Sequence, residues 1–371
     1  MHLSLKQKLS GSHIPALDGI RGISAFLVFC AHAGLLPRQY GALGVAIFFV
    51  LSGFLITWLL LRENEANGSV SMKGFYIRRT LRIFPAFYVF WAVCIAAAFL
   101  AGSAVNRAEA VSSFCYLGDY YNALKDLFPR GPRGIMGITW SLGVEEKFYL
   151  IWPWVFVRYR NDLRHLLNAV LIGIGLVWIY RICICLLGIS PVDYLRYAFE
   201  SRVDNIMYGC ALAIAIKTGR FQMTLERLTS YRLLPIIVVA GLGILVWLED
   251  SVGPTFHYLA GMTLDAGLIT LLLAQLINLS GTKLWGWLNS RPLRFAGRIS
   301  YSVYLYHFTV IALVGHFMPN ARWSLQLIIA FILTVTSATL SYRLIERPFL
   351  LLKERFAVKP KVTKEAIHAT A

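Results

Sequence analysis

Two ionisable residues, Arg21 and His32, bracket ten mostly apolar residues in the stretch RGISAFLVFCAH near the start of the chain. On an α-helix this separation makes about three turns, so both side chains lie on the same face, roughly 16 Å apart along the axis. An ionisable group on an apolar helix is costly unless it faces a polar cavity. The spacing therefore favours a shared functional role. The alternative is that Arg21 anchors the helix end and His32 is a satisfied core histidine.

Two adjacent carboxylates, Glu145 and Glu146, follow Ser141 in the stretch TWSLGVEEKFYLIWP. Ser141 and Glu145 share one helix face, and Glu146 is turned from it by about 100°. A carboxylate next to an imidazole fixes the tautomer of the ring and raises its basicity, as a general base requires. We therefore predict that Glu145 orients His32 and that the two form the catalytic pair. Glu146 is expected to pair with Lys147 or with a neighbouring arginine.

Three arginines, Arg78, Arg79 and Arg82, stand at the start of an apolar run in FYIRRTLRIFPAFY. Guanidinium groups near a helix N-terminus suit phosphates, because planar donors meet anionic oxygens beside free backbone N–H groups. For one arginine, a simple preference of basic residues for the cytoplasmic side would explain the position. For three, with Arg21 at the same depth, we favour a site for a phosphate-bearing cytosolic ligand.

Further polar residues lie in apolar stretches later in the chain. Arg202 and Asp204 occur in RVDNIMYG, and Arg181 and Asp265 lie in neighbouring apolar runs. With Ser141, Arg202 and Asp204 are candidates for the substrate side of a polar cavity, although mutual ion pairing explains the charged residues equally well. The six cysteines do not have the spacing of metal ligands, so we predict no metal site.

These side chains need a scaffold of helices that cross a bilayer. The chain has 371 residues, of which 57% are hydrophobic and 15% charged, which is typical of a polytopic membrane protein. The formal net charge of +17 would suggest nucleic-acid binding in a soluble protein. In a membrane protein, however, basic residues collect in cytoplasmic loops. We therefore predict an all-α protein in contact with the lipid bilayer, without a nucleic-acid partner.

Apolar runs of about 20 residues are long enough to span a bilayer. We predict ten transmembrane helices, at residues 20–36, 43–61, 83–102, 138–157, 166–188, 199–217, 232–249, 258–278, 300–318 and 324–343. Lys and Arg are far more frequent on one side of these spans, which places both termini in the cytoplasm. The predicted organisation is a cytoplasmic segment at 1–15, a transmembrane domain at 16–348 and a basic, partly disordered cytoplasmic tail at 349–371. Pro348 is expected to end the last helix.

The chain resembles the acyltransferase-3 family of integral-membrane O-acyltransferases. The motifs that carry the resemblance cover the predicted transmembrane domain and occur in the family's order. They are LDGIRGISAFLVFCAH, GVAIFFVLSGFLIT, FYIRRTLRIFPAFY, WSLGVEEKFYLIWP, RVDNIMYG, ISYSVYLYH and ERP. The family's arginine and histidine, separated by ten residues, match Arg21 and His32. Its Arg-x-x-Arg motif matches Arg79 and Arg82, and the glutamate of its Trp-Ser-Leu motif matches Glu145.

The resemblance implies an acyltransferase that transfers groups other than amino-acyl groups, in the plasma (inner) membrane of a bacterium. The acyl group, usually acetyl, is expected to come from cytosolic acyl-CoA. It would pass to a hydroxyl of a sugar or glycan, such as a cell-surface polysaccharide or a lipid-linked precursor. Acyl-CoA is a co-substrate, so no permanently bound cofactor is expected. Some relatives carry an additional soluble hydrolase-like domain. This sequence ends shortly after the last span, and we expect its membrane domain to work alone.

Acyl transfer from a thioester to an alcohol requires a base and an oxyanion donor but no metal. We expect Arg79 and Arg82, with Arg78, to bind the phosphates of coenzyme A. Arg21 would line the entry of the pantetheine arm, whose length is similar to the separation of Arg21 and His32. His32 would take the proton from the acceptor hydroxyl. An acyl-histidine intermediate, a longer acyl group, and a peptidoglycan or small-molecule acceptor remain alternatives.

A rival class is a transporter or flippase for an anionic or sugar-linked substrate, since buried Arg, Asp, Glu and His also occur in permeases. The sequence contains no inverted repeat and no paired broken helices, which favours the enzyme. A signalling or scaffold membrane protein is a third and less specific class.

Overall fold

The computed structural model describes Leu9 and residues 15–102, 104–127, 134–188 and 192–356. Within these residues the regular secondary structure is helical, without β-strands, which confirms the predicted all-α class. Predictions for residues 1–14, Leu9 apart, and for the tail beyond residue 356 lie outside the described part of the chain.

Ten helices of at least 18 residues make up most of the described part of the molecule. In chain order they are α1 (Pro15–His32), α2 (Arg38–Asn67), α3 (Met72–Leu100), α4 (Trp140–Tyr159), α5 (Leu163–Leu187), α6 (Phe199–Thr218), α7 (Leu234–Val252), α8 (Pro254–Leu279), α9 (Arg291–Phe317) and α10 (Trp323–Glu354). Each overlaps one of the ten predicted spans, in the same order. Two short helices, Arg107–Phe114 and Gly118–Leu124, lie between α3 and α4.

Six of these helices, α2, α3, α5, α7, α8 and α10, are long and apolar enough to cross a membrane. The other four, α1, α4, α6 and α9, each carry at least two charged residues, which makes them less apolar. The most apolar stretch of α2 is 78% buried, whereas that of α5 is only 17% buried, so α2 is central and α5 peripheral. The chain is therefore an all-α polytopic membrane protein. The count of ten spans and the cytoplasmic position of both termini stay predictions.

Glycines make the closest helix crossings. Helix α2 packs against α6, and α1 packs against α9. A Cβ atom at Gly53 of α2 would lie 1.8 Å from the Ile206 carbonyl oxygen of α6, and one at Gly209 would lie 1.9 Å from the Val50 carbonyl oxygen. Small residues allow transmembrane helices to approach until their backbones touch. The α2–α6 crossing therefore depends on the absence of side chains at these two positions.

The last helix continues beyond Pro348, so the prediction that this proline ends it is wrong. A π-helical turn at Tyr342–Glu346 shifts the hydrogen bonding, and the Arg347 N–H donates to the Tyr342 carbonyl. Pro348 then occupies the first turn of the next helical segment, where no backbone donor is needed. The helix runs on to Glu354, and the predicted tail is helical up to that residue.

Candidate active site

A cavity of about 1160 Å³ lies among α1, α2, α3, α4, α9 and α10. Its wall is strongly basic, because within the described residues eight arginines and Lys353 line it against four carboxylates. The arginines are Arg21, Arg62, Arg78, Arg79, Arg82, Arg291, Arg294 and Arg298. Along α9 the wall extends from Arg291 to Tyr304, roughly 20 Å at 1.5 Å per residue. The four predicted coenzyme-binding arginines, Ser141 and Glu145 are thus brought together in one cavity.

Carboxylates already hold two of the predicted phosphate-binding arginines. Arg78 donates to Glu63 Oε2 at 2.6 Å. Arg79 stacks on the Tyr149 ring, 3.4 Å from its centroid, with its Nε 3.5 Å from Glu146 Oε1. The prediction that Glu146 pairs with a neighbouring arginine is confirmed. A paired guanidinium has fewer free donors, so Arg78 and Arg79 offer fewer hydrogen bonds to a phosphate than unpaired arginines would.

Arg21 and Arg82 face a carboxylate that the sequence did not single out, Glu346 of α10. Glu346 interacts electrostatically with both guanidinium groups, and its Oε1 accepts a hydrogen bond from Ser302 at 2.5 Å. In the sequence, the ERP motif is interpreted as a helix end and as part of the family resemblance, without a role for Glu346 itself. An acidic residue in the last turn of an apolar helix was the signal that could have identified Glu346 as part of the cavity wall.

Glu145 lies in the cavity wall but does not contact His32, so the predicted carboxylate–imidazole contact is wrong. Glu145 Oε1 accepts a hydrogen bond from Ser52 of α2 at 2.6 Å, and its Oε2 lies 3.8 Å from Arg79 Nη2. The physical reason is depth. His32 is the last residue of α1, whereas Glu145 lies about 8 Å along α4 from that helix's first residue, at 1.5 Å per residue.

The partner of His32 is a second histidine, His307 of α9. His32 Nδ1 lies 2.9 Å from the Val28 carbonyl oxygen and 3.2 Å from His307 Nε2. His307 Nδ1 lies 2.6 Å from the Tyr304 carbonyl oxygen. Because carbonyl oxygens only accept, each Nδ1 carries a proton, and His307 Nε2 accepts from His32. His32 is exposed, with the lone pair on its Nε2, whereas His307 is 1% exposed.

Tyr304 lies between the cavity and the histidine pair. Its hydroxyl is 2.5 Å from Ser141 Oγ and donates to the Ile138 carbonyl at 3.0 Å. Ring centroids of Tyr304 and His307 are 5.7 Å apart, and those of His307 and His32 are 5.0 Å apart. Ser141 and Tyr304 line the cavity, and the exposed imidazole of His32 lies beyond these two rings.

The other substrate-side candidates lie outside the cavity wall. Asp204 accepts two hydrogen bonds from Arg181, at 2.8 and 2.7 Å, and both side chains are fully buried. The ion-pairing alternative therefore explains Asp204, which has no exposed surface for a substrate. Arg202 is 3% exposed and lies near the Phe49 and Trp140 rings, at 5.8 and 5.5 Å.

One group of described residues has distances that could suit a metal ion, although the sequence predicted no metal site. Glu249, His257 and Asp265 present ligand atoms within 4.8 Å of one another. His257 Nδ1 lies 2.6 Å from Glu249 Oε1, which is a hydrogen-bond distance and is short for two ligands of one ion. Arg202 interacts electrostatically with Asp265 and brings a positive charge to the carboxylates. This group lies outside the cavity wall.

Comparison with known proteins places the chain in a family. The family model described as an acyltransferase domain matches residues 14–343. Peptidoglycan O-acetyltransferase OatA of Listeria monocytogenes is 31% identical over 360 residues, which cover 92% of this chain and 56% of that protein. O-acetyltransferase OatA of Staphylococcus aureus is 26% identical over 359 residues, covering 93% of this chain and 58% of that protein.

The chain thus spans a little over half the length of these relatives. No solved structure matches it. The family match extends from α1 into α10 and includes the arginine, histidine and glutamate motifs described above. The resemblance inferred from the motifs is therefore confirmed, and the chain belongs to the acyltransferase-3 family.

Proposed function

We propose that this protein is an O-acetyltransferase of a bacterial plasma membrane. It takes an acetyl group from cytosolic acetyl-CoA and transfers it to a hydroxyl of a glycan on the other side of the membrane. The observation that carries the proposal is the arrangement of polar groups along α9, from an arginine-lined cavity through Tyr304 and His307 to the exposed His32. The names of the relatives, peptidoglycan O-acetyltransferase and O-acetyltransferase, favour acetyl as the group and peptidoglycan as the acceptor.

The cavity suits a large anionic donor. Its volume of about 1160 Å³ is slightly above the usual range for small-molecule pockets, as expected for a ligand of the size of acetyl-CoA. Its excess of arginines matches the phosphates, because guanidinium groups bind phosphate oxygens with planar, charge-assisted hydrogen bonds. The thioester end would point away from the arginines, towards Ser141 and Tyr304.

The exposed histidine suits the acceptor. His32 Nε2 takes the proton of the acceptor hydroxyl, and the oxygen attacks the carbonyl carbon of the thioester. The tetrahedral intermediate then expels the thiolate of coenzyme A, which receives the proton from His32, so an ester and a thiol are the products. For the two substrates to meet, the thioester has to pass the ring of Tyr304, which Ser141 holds by a hydrogen bond.

The test uses the full chain purified in lipid nanodiscs, with labelled acetyl-CoA and soluble peptidoglycan fragments. We expect acceptor-dependent release of free coenzyme A and an acetyl ester on the glycan, detected by mass spectrometry. His32→Ala should lower the rate by about 10²-fold or more, and His316→Ala, also exposed on α9, should not. A wild-type rate in folded His32→Ala would refute the role of His32. Movement of substrate across the bilayer without release of coenzyme A would favour a transporter.

A further inference from the structure

Three arginines at the start of α9 face the cavity. Arg291, Arg294 and Arg298 are spaced by three and four residues, which places them on one helix face, and all three line the wall. Arg291 and Arg298 are exposed, and Arg294 is half-buried. In the sequence, these three arginines contribute only to the excess of basic residues on the cytoplasmic side of the predicted spans.

The α9 arginines differ from Arg78 and Arg79, which pair with carboxylates. Among the described residues no Asp or Glu oxygen lies within ion-pair distance of Arg291, Arg294 or Arg298, and the buried Nε of Arg294 has no hydrogen-bond acceptor. Clustered guanidinium groups repel one another and keep unused donors in this arrangement. An anion bound between these arginines would offset their repulsion and accept hydrogen bonds from the unused donors.

A general preference of basic residues for the cytoplasmic side does not explain why the three α9 arginines line the cavity. Arg343 and Arg347 of α10 are near the same end of the bundle, but they are exposed and do not line the cavity. Lys283 precedes α9 and does not line it either. The α9 arginines, by contrast, share one wall with Arg21 and Arg82, so their positions indicate a ligand inside the cavity.

The arginines of α9 lie at two levels along the axis of that helix. A Cβ atom at Gly22 would lie 2.9 Å from the Cβ of Ala296, so Arg21 and Arg298 are at about the same depth. Arg294 lies roughly 6 Å, and Arg291 roughly 10 Å, nearer the N-terminus of α9 than Arg298, at 1.5 Å per residue. The deeper level is continuous with the path towards Tyr304, and the outer level lies at the mouth of the cavity.

Coenzyme A carries two separate phosphate groups, a diphosphate that continues into the pantetheine arm and a 3′-phosphate on the ribose. We infer that Arg291 and Arg294 form a subsite at the cavity mouth that binds the ribose 3′-phosphate, while the deeper Arg21 and Arg82 face the diphosphate. This inference rests on the proposed function, because it takes coenzyme A as the ligand. The 3′-phosphate is the anionic group farthest from the thiol along the molecule, and Arg291 and Arg294 are the α9 arginines farthest from Tyr304.

The test compares the binding of coenzyme A and of 3′-dephospho-coenzyme A to the purified full chain, by calorimetry at constant salt. The wild-type protein should bind coenzyme A roughly 10- to 100-fold more tightly than the dephospho form, the range expected for charge-assisted hydrogen bonds. Arg294→Gln should remove this difference and leave the affinity for the dephospho form unchanged. Arg82→Gln should weaken both ligands by the same factor, and Arg347→Gln should change neither.

The outcomes separate this inference from the function on which it rests. Equal affinities of the wild-type protein for the two ligands, or an equal loss for both in Arg294→Gln, would overturn the 3′-phosphate subsite and leave the coenzyme A site intact. Binding of neither ligand to the wild-type protein would overturn both proposals. If Arg294→Gln does not fold, Arg291→Gln supplies the same comparison, because Arg291 is exposed.

Discussion

His307 Nε2 accepts a hydrogen bond from the Nδ1–H of His32 at a distance of 3.2 Å. His307 can only accept at this atom, because its own Nδ1–H donates to the Tyr304 carbonyl. The Val28 carbonyl oxygen, 2.9 Å from the same Nδ1, and His307 together fix the tautomer of His32 and leave its Nε2 lone pair free for an acceptor hydroxyl. A buried neutral imidazole thus provides the orientation that the sequence assigned to the carboxylate of Glu145.

Replacing His307 should impair turnover more than substrate binding. His307→Leu removes one of the two acceptors of the His32 Nδ1–H and leaves only the Val28 carbonyl oxygen, so the ring is held less firmly towards the acceptor hydroxyl. Misplacement of a catalytic group by about 1 Å can lower a rate about 10²-fold, so we expect kcat to fall by that order. The KM for acetyl-CoA should stay constant, because His307 lies beyond the cavity wall. Steady-state kinetics of the nanodisc preparation measure both quantities.

The conservative variant His307→Gln separates positioning from a purely structural role. Its side-chain oxygen can accept from the His32 Nδ1–H, so a large part of the lost kcat should return. His316→Leu on the same helix serves as the control, with kinetics like those of the wild type. Equal loss in His307→Gln and His307→Leu, or a rise in KM without a change in kcat, would contradict the positioning role.

Glu145→Gln should destabilise the packing of the cavity wall and leave the basicity of His32 unchanged. The carboxylate accepts from Ser52 and lies 3.8 Å from Arg79, so its loss removes one of two negative charges beside a largely buried guanidinium. We expect a loss of stability of about 1–3 kcal/mol, as for other disrupted buried polar contacts, and a lower KM for acetyl-CoA, because Arg79 loses a carboxylate that competes with phosphate. The measurements are thermal unfolding in nanodiscs and the KM. A drop of about 10²-fold in kcat at constant KM would instead support the predicted role of Glu145 in orienting His32.

Much of the fold could be predicted because membrane spans depend on local composition. Runs of about 20 apolar residues indicated ten segments, and each of the ten long helices overlaps one of them. The prediction that Pro348 ends the last helix was wrong for a specific reason. A π-helical turn at Tyr342–Glu346 depends on a shifted hydrogen-bond pattern that proline alone does not reveal.

The site could be predicted only where its geometry lies within one helix. The shared face of Arg21 and His32 follows from helical periodicity, and both residues lie on α1 as expected. The partner of His32 depends on how two helices meet, because His307 lies 275 residues away in the sequence. The predicted contact between Glu145 and His32 was wrong for the same reason, since the relative depth of residues on different helices is set by loop lengths and crossing angles.

The glycine crossing between α2 and α6 gives a prediction about folding. A methyl group at Gly53 would overlap the Ile206 carbonyl oxygen, at 1.8 Å, and backbone atoms cannot move aside without separating the helices. Gly53→Ala should therefore destabilise the protein by about 1–3 kcal/mol or more, the usual range for overpacking. Thermal unfolding of the purified protein checks this value. Gly243→Ala on α7 is the matched control, because nothing lies within 4 Å of a Cβ atom there, and wild-type stability of Gly53→Ala would contradict the crossing.

The stability of the segment between α3 and α4 should depend on pH through Glu109. This carboxyl group lies in the short helix Arg107–Phe114, is 6% exposed and accepts a hydrogen bond from the Met136 N–H at 3.2 Å. Burial raises its pKa from 4.5 to about 7. Between these two values the unfolded chain loses the proton and the folded chain keeps it, so stability falls as the pH rises through this window. The fall is up to about 3 kcal/mol, at 1.36 kcal/mol per pKa unit.

Glu109→Gln isolates this contribution, because the amide oxygen can still accept from the Met136 N–H but carries no charge at any pH. Thermal unfolding measured between pH 5 and 8 should therefore show a flatter profile in the variant. At pH 8 the variant should be more stable than the wild-type protein. Glu354→Gln, an exposed position at the end of α10, should keep the wild-type profile. Parallel profiles for Glu109→Gln and the wild type would mean that Glu109 is solvated and ionised in the folded protein throughout this range.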